Sequence, residues 1–154
     1  MIDSDGLRQA HEDFLAVARG EGFGPPPPGE WDAERLIAHV GLADASIASA
    51  ALAVLAGERP GYDNRASLDE WNLRRVVADC GGVGGLMEFA AASGRLLREV
   101  AAALPESALA VQLPILIISG DELIVDEPWS LDQLITGVAR FHLPRHAEQL
   151  AGLR

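Results

Sequence analysis

Ala139-Arg140-Phe141-His142-Leu143-Pro144-Arg145-His146-Ala147-Glu148-Gln149-Leu150 carries two of the chain's 4 histidines, four residues apart. On a helix that spacing stacks both rings on one face. Upstream, Leu131, Ile135 and Val138 lead into His142 and His146, and Gln149, Leu150 and Leu153 follow at helical intervals. The imidazoles thus replace apolar residues on an inward stripe. His39 does much the same in Leu36-Ile37-Ala38-His39-Val40. Three histidines pointing into one small core would make an N₃ metal site with an open position.

The 154 residues fit one domain, residues 1–154, with length enough for a proper core. An apolar share of 49% excludes a disordered chain, and abundant alanine with only 5% aromatics favours helices over a sheet sandwich. The formal charge of −11 argues against a nucleic-acid partner, which needs a cationic footprint, and against anionic membrane surfaces. The single cysteine, Cys80, cannot form an internal disulfide, and the N-terminus lacks a basic-then-apolar signal pattern. No run approaches the roughly 20 apolar residues of a membrane span. The expectation is a soluble cytoplasmic protein.

Along the chain, a first helix is expected over Ser4–Ala18, capped by Ser4 or Asp5, with Leu7, His11, Phe14 and Leu15 on its stripe. Gly24-Pro25-Pro26-Pro27-Pro28-Gly29 reads as a stiff spacer, with a polyproline ligand as the alternative. Asp32 caps a second helix running to Leu55, with His39 along one edge of its stripe and Asp44 along the other. A buried Asp44 would need a cation or donors; we expect a solvated carboxylate at the margin. Residues 61–65 read as loop, and Ser67-Leu68-Asp69-Glu70 as a capping box opening a short helix to Cys80. Gly81-Gly82-Val83-Gly84-Gly85 is a hinge; it lacks the GK[ST] ending and the preceding strand of a phosphate loop. A third long helix follows from Val83 and stops before Pro105. Residues 111–125 form an apolar β-hairpin turning at Ser119-Gly120-Asp121, with Pro114 limiting its first strand to an edge. Such a hairpin must lie on a helix face or in a subunit interface. Ser130-Leu131-Asp132-Gln133 is a capping box for the last helix, which Pro144 should kink or restart.

Stripe placement of three histidines arises by accident about one time in ten, because a stripe covers three to four positions in seven. The H-x₃-H pair is the stronger signal, since chelation needs imidazole nitrogens about 3 Å apart. Leu143 stands where a zinc protease would carry glutamate, which disfavours that class. Gln149 could orient a ligand, though a helix-surface amide is the plainer expectation. His11 is expected in the core or an interface, and Cys80, without cationic neighbours, as structural.

Trp31-Asp32 leading to Leu36-Ile37-Ala38-His39-Val40, the Trp71-Asn72 turn, Pro128-Trp129-Ser130-Leu131, and His142-x₃-His146-x₂-Gln149 together resemble the DinB-like superfamily. Relatives in that superfamily include mycothiol-dependent maleylpyruvate isomerases and bacillithiol transferases. The likeness runs in order over nearly the whole chain, in short degenerate pieces. It implies an all-α fold, a four-helix bundle, often dimeric, into which the hairpin read at residues 111–125 is inserted before the last helix. It also implies a divalent metal, zinc or nickel, on His39, His142 and His146. The expected function is a metal-dependent small-thiol S-transferase or isomerase. Its cofactor would be a low-molecular-weight thiol such as mycothiol, and its partner a small electrophile. The alternatives are a non-catalytic metal-binding dimer acting as a stress or binding module, and a metal-free helical scaffold. No catalytic residue is assigned.

Overall fold

The computed structural model describes residues 3–154. Helix α1 covers Ser4–Ala18, as expected, but its cap is Asp3, whose carboxylate accepts from the Gly6 N–H at 2.8 Å. Aspartate ahead of Ser4 reaches the first free amides of the turn, which leaves Ser4 and Asp5 inside the helix. Helix α2, Ala33–Leu55, starts at Asp32, which accepts from the Arg35 N–H at 2.9 Å. The Arg35 guanidinium then joins Asp32 at 2.6 Å and Glu70 at 2.9 Å, tying the start of α2 to the start of a later helix.

That later helix, α4, spans Glu70–Cys80 and is capped by Asp69, not opened by the expected Ser67 box. Ser67 instead lies in a short helix α3, Arg65–Leu68, and its hydroxyl donates to the Asn64 carbonyl at 2.8 Å. Helix α5, Val83–Ala103, follows the glycine hinge, where Gly81 and Gly82 take φ of 71° and 121°. Only glycine adopts such angles without strain, so the reversal is confined to two residues. A short α6, Glu106–Leu109, precedes the strands.

Helices α2 and α5 pack most extensively on each other, and α1 lies across α5 and the last helix. Alanines along α2 (Ala38, Ala43, Ala48, Ala51) are buried and let the backbones approach. Larger side chains such as Phe14, Ile37, Leu86, Leu97 and Leu150 fill what remains. By length and mean hydropathy (1.6), α2 is also apolar enough to cross a membrane, contrary to the reading of the sequence run by run. Its most apolar window is 67% buried inside the protein, which is how a core helix satisfies the same test.

The hairpin is longer than the sequence suggested. Strand β2, Gln112–Ser119, pairs antiparallel with β3, Glu122–Ser130, so Pro128 and Trp129 belong to the strand. Pro114 stands opposite Pro128. Counting from the Leu131 N–H to Val111 carbonyl bond, that pair falls where neither strand donates to the other, so two rings without N–H cost the ladder nothing. Ile124 is the extra residue of a bulge between Ile117 and Ile118. A further strand, β1 at Tyr62–Asp63, which reads as loop in the sequence, pairs parallel with Ile115 and Leu116. The sheet order is therefore β1-β2-β3, and β1 stops one residue short of Pro114. Leu113, Ile115 and Val125 are buried against the helices, while Leu123 and Ile124 at the tip stay exposed.

Ser130 caps the last helix by the expected box with Gln133. The helix runs as α7, Leu131–Gly137, widens into a π-turn at Val138–His142, and restarts as α8, Leu143–Ala151. In an α-helix a proline ring collides with the carbonyl four residues back. The wider turn ahead of Pro144 relieves that contact, and the Leu143 N–H reaches back five residues to Val138.

Candidate metal centre

The histidine cluster is assembled from two elements, α2 and the π-turn with α8. On α2, His39 is buried, and its Nδ1 donates to the Ser67 carbonyl at 2.8 Å. A carbonyl only accepts, so this bond fixes the tautomer and leaves Nε2 as a bare lone pair facing away from α3. The carbonyl is itself braced. Asn64 forms two side-chain bonds of 2.9 Å with the Ile118 backbone, and the Asn72 amide donates to Ala66 at 2.8 Å. Asn72 thus holds the segment that holds His39.

On α8, His146 Nδ1 lies 2.6 Å from Gln149 Oε1. The amide oxygen accepts, so His146 also presents Nε2 as a lone pair. Gln149 is therefore an orienting group and not the surface amide expected of it. His142, at the end of the π-turn, has a buried Nδ1 with no hydrogen-bond partner among the described residues, and its Nε2 sits 3.0 Å from His39 Nε2.

The ring centroids of the three lie 4.6–5.1 Å apart, tilted or edge-on, and one ligand atom from each falls within 4.8 Å of the others. A tetrahedral ion at about 2.0–2.1 Å from imidazole nitrogens sets them roughly 3.3 Å apart. The sites on His39, His142 and His146 are thus close enough to hold one metal ion. The donor set fits the group: two tautomers are pinned with lone pairs inward, and three neutral nitrogens without a carboxylate suit borderline cations.

The electrostatics agree. Burial holds all three rings below the ordinary histidine range. His146 falls to about 3, mainly through burial, next because a protonated His39 beside it would repel a second proton, with Gln149 opposing. His142 is held well below its ordinary value, through burial and then the neighbouring imidazoles. Neutral rings are what ligation requires.

The cluster forms part of the wall of an open cavity of about 870 Å³. Trp31, Ile117, Trp129, Val138 and Phe141 give it apolar surface, and Arg145 adds a cation. That volume is in the range of sites for small organic ligands.

The fourth histidine stays out. His11 on α1 is buried, its Nδ1 donating to the Leu7 carbonyl at 2.8 Å and its Nε2 3.0 Å from Asp44 Oδ2. Asp44, expected at a solvated margin, is completely buried. The stripe's edge on α2 is covered where the His11 side chain of α1 reaches it. Gly94 on α5 makes room, since a methyl at that position would collide with the His11 ring. With Nδ1 already donating, the His11–Asp44 contact needs one more proton, either on Asp44 or on His11 Nε2. Burial raises the Asp44 carboxyl above its usual range, against the pull of His11.

Cys80 is partly buried beside the hinge, and burial with the nearby Asp79 pushes its thiol up, away from thiolate character. Sequence reasoning missed the Ser67 carbonyl, the Asn64 brace and the Asp44 pair. The one available signal was that His11 and Asp44 both sit on stripes, a donor and an acceptor in need of each other.

No protein-family model matches the chain, and no curated protein or solved structure matches it either.

Proposed function

We propose that this protein is a cytoplasmic DinB-like four-helix bundle, acting as a homodimer. In this reading it holds a divalent zinc or nickel ion on His39, His142 and His146 and works as a thiol-dependent S-transferase or isomerase. The observation that carries the reading is the convergence of the three imidazoles in the wall of an 870 Å³ cavity. When bound, an ion with only neutral ligands acidifies a thiol or water at its open position. The chain's own residues do the rest. Ser67 and Gln149 hold His39 and His146 in register, and Trp31, Trp129 and Phe141 offer an apolar bed for an electrophile. The small thiol, mycothiol or a relative, would enter by the same cavity.

The test has two stages. Elemental analysis of purified protein should find about one equivalent of zinc or nickel per chain, with most of it lost in His39→Ala, His142→Ala and His146→Ala and retained in His11→Ala. Metal content unchanged in those three variants would refute the centre. A screen of thiols against electrophiles, maleylpyruvate-type enones included, should then show metal-dependent turnover.

One observation favours a second reading, a non-catalytic metal-binding dimer serving as a stress or binding module. The acidic residues lining the cavity, Glu30, Asp69 and Asp121, are all exposed, so no buried carboxylate stands ready as a general base. Metal binding without turnover for any thiol tested would select that reading.

A further inference from the structure

Arg145 lies on α8 between His142 and His146 in sequence and lines the same cavity. Its side chain is exposed, and among the described residues that side chain makes one hydrogen bond, a long 3.3 Å contact to the Ser119 hydroxyl on the hairpin. Among the described residues no carboxylate lies within salt-bridge distance of it. Arg65, the other cation lining the cavity, already donates to both carboxylate oxygens of Asp63. Of the chain's 12 arginines, seven have no carboxylate within salt-bridge distance among the described residues, and Arg145 is the one of those seven that lines the cavity. A planar guanidinium matches a carboxylate by two parallel hydrogen bonds.

We propose that Arg145 anchors the carboxylate of a small molecule whose apolar body lies along the cavity toward the three histidines. The substrate class is thus an organic acid with an apolar chain or ring, about the size an 870 Å³ cavity accepts. The carboxylate belongs either to the electrophile or to the thiol. This rests on the metal-centre reading only for what meets the ligand's other end; the anchor itself needs no metal.

The experiment uses two matched pairs of probes: 4-phenylbutyrate against 4-phenylbutyramide, and 3-mercaptopropionate against 3-mercaptopropionamide. Binding is read from the fluorescence of Trp31 and Trp129, which line the cavity, on zinc-loaded and on chelator-treated protein. Wild type should prefer the acid of at least one pair by about tenfold, with and without zinc. The pair that shows it identifies whether electrophile or thiol carries the carboxylate. Arg145→Gln should abolish the preference and Arg145→Lys keep part of it, with circular dichroism unchanged because the residue is exposed. A preference that survives Arg145→Gln but disappears on chelation would put the carboxylate on the metal and overturn the anchor. No preference in either pair would overturn it as well. Protein that takes up no zinc would sink the proposed function, while the chelator-treated arm would still decide Arg145.

Discussion

His11 and His39 occupy the same kind of position, each buried on the inward stripe of a long helix with Nδ1 donating to a backbone carbonyl at 2.8 Å. Their second nitrogens part ways. His11 Nε2 meets a buried carboxylate at 3.0 Å, whereas His39 Nε2 meets another imidazole at the same distance. A carboxylate across from a histidine holds a proton between them. An imidazole across from a histidine, with a third behind it, offers lone pairs that only a proton or a cation satisfies. One site is a closed part of the core; the other faces a cavity and is open to a ligand. The lesson is that burial and periodicity do not distinguish structural from functional histidines. The group opposite the free nitrogen does.

The largest effect should come from breaking the closed site. Asp44→Ala leaves the buried His11 Nε2 without its partner, which typically costs about 1–3 kcal/mol. We expect a melting temperature lower by roughly 6 °C, from about 2–4 °C per kcal/mol at this size. Metal content per folded chain should not change. Loss of metal in parallel with stability would mean the two sites are one.

Acid separates the sites in the opposite sense. The cluster histidines have folded pKa values below their unfolded value near 6.5. Below pH 6.5 the unfolded chain binds more protons, so stability falls as pH drops toward the folded value. With His146 at about 3, that residue alone should cost the metal-free protein about 2 kcal/mol at pH 5. Asp44 runs the other way, because its raised pKa contributes stability at low pH that is lost as pH climbs through the folded value. Denaturant melts of wild type and His146→Ala between pH 5 and 7.5 should show a shallower slope in the variant. Equal slopes would remove His146 from this account.

A smaller effect is expected at Gln149. Replacing it by alanine frees His146 Nδ1 from its 2.6 Å partner and should weaken metal binding about tenfold, as the loss of an orienting group does. Gln149→Glu keeps an acceptor there and should retain affinity. Competition with a chromogenic chelator measures both.

The smallest change should follow Cys80→Ser. The thiol is partly buried and is pushed away from thiolate character. Stability should move by less than about 0.5 kcal/mol, with metal content and any thiol-dependent turnover intact. Loss of turnover with the fold retained would mean that the nucleophile lies at Cys80.

What could be read beforehand was whatever a local rule encodes. The Ser130–Gln133 box, the stop before Pro105, the glycine hinge and the H-x₃-H pair all declare themselves within a few residues. The rest depended on encounters distant in sequence. Tyr62–Asp63 carries no strand pattern and pairs because β2 has a second edge to offer, 53 residues downstream at Ile115. Asp44 looked marginal because a stripe's edge is wet or dry according to what reaches it, here the His11 side chain of α1. The brace on His39 is a main-chain carbonyl, which leaves no mark in the side-chain sequence. The reading of Gln149 failed for another reason: it was close enough to see, but which way an amide faces depends on the helix around it.

The π-turn at Val138–His142 has a consequence for that helix as a ruler. One residue in excess of the α-helical count turns everything after it by about 100°. Buried positions accordingly run 131, 134, 135 and 138 before the turn, then 143, 146 and 150 after it. An uninterrupted helix would have brought 142, 145 and 149 round to the core. The last helix therefore keeps two clocks, one set to the core at Ile135 and one to the cavity wall at His146. The single added tick between them puts Arg145 outside, Gln149 beside the ring it steadies and His146 inward. Deleting Ala139 or Arg140 would remove that tick and set both clocks to the same hour: Leu143, His146 and Leu150 would keep facing inward in an unbroken α-helix, and Pro144 would then meet the carbonyl four residues back.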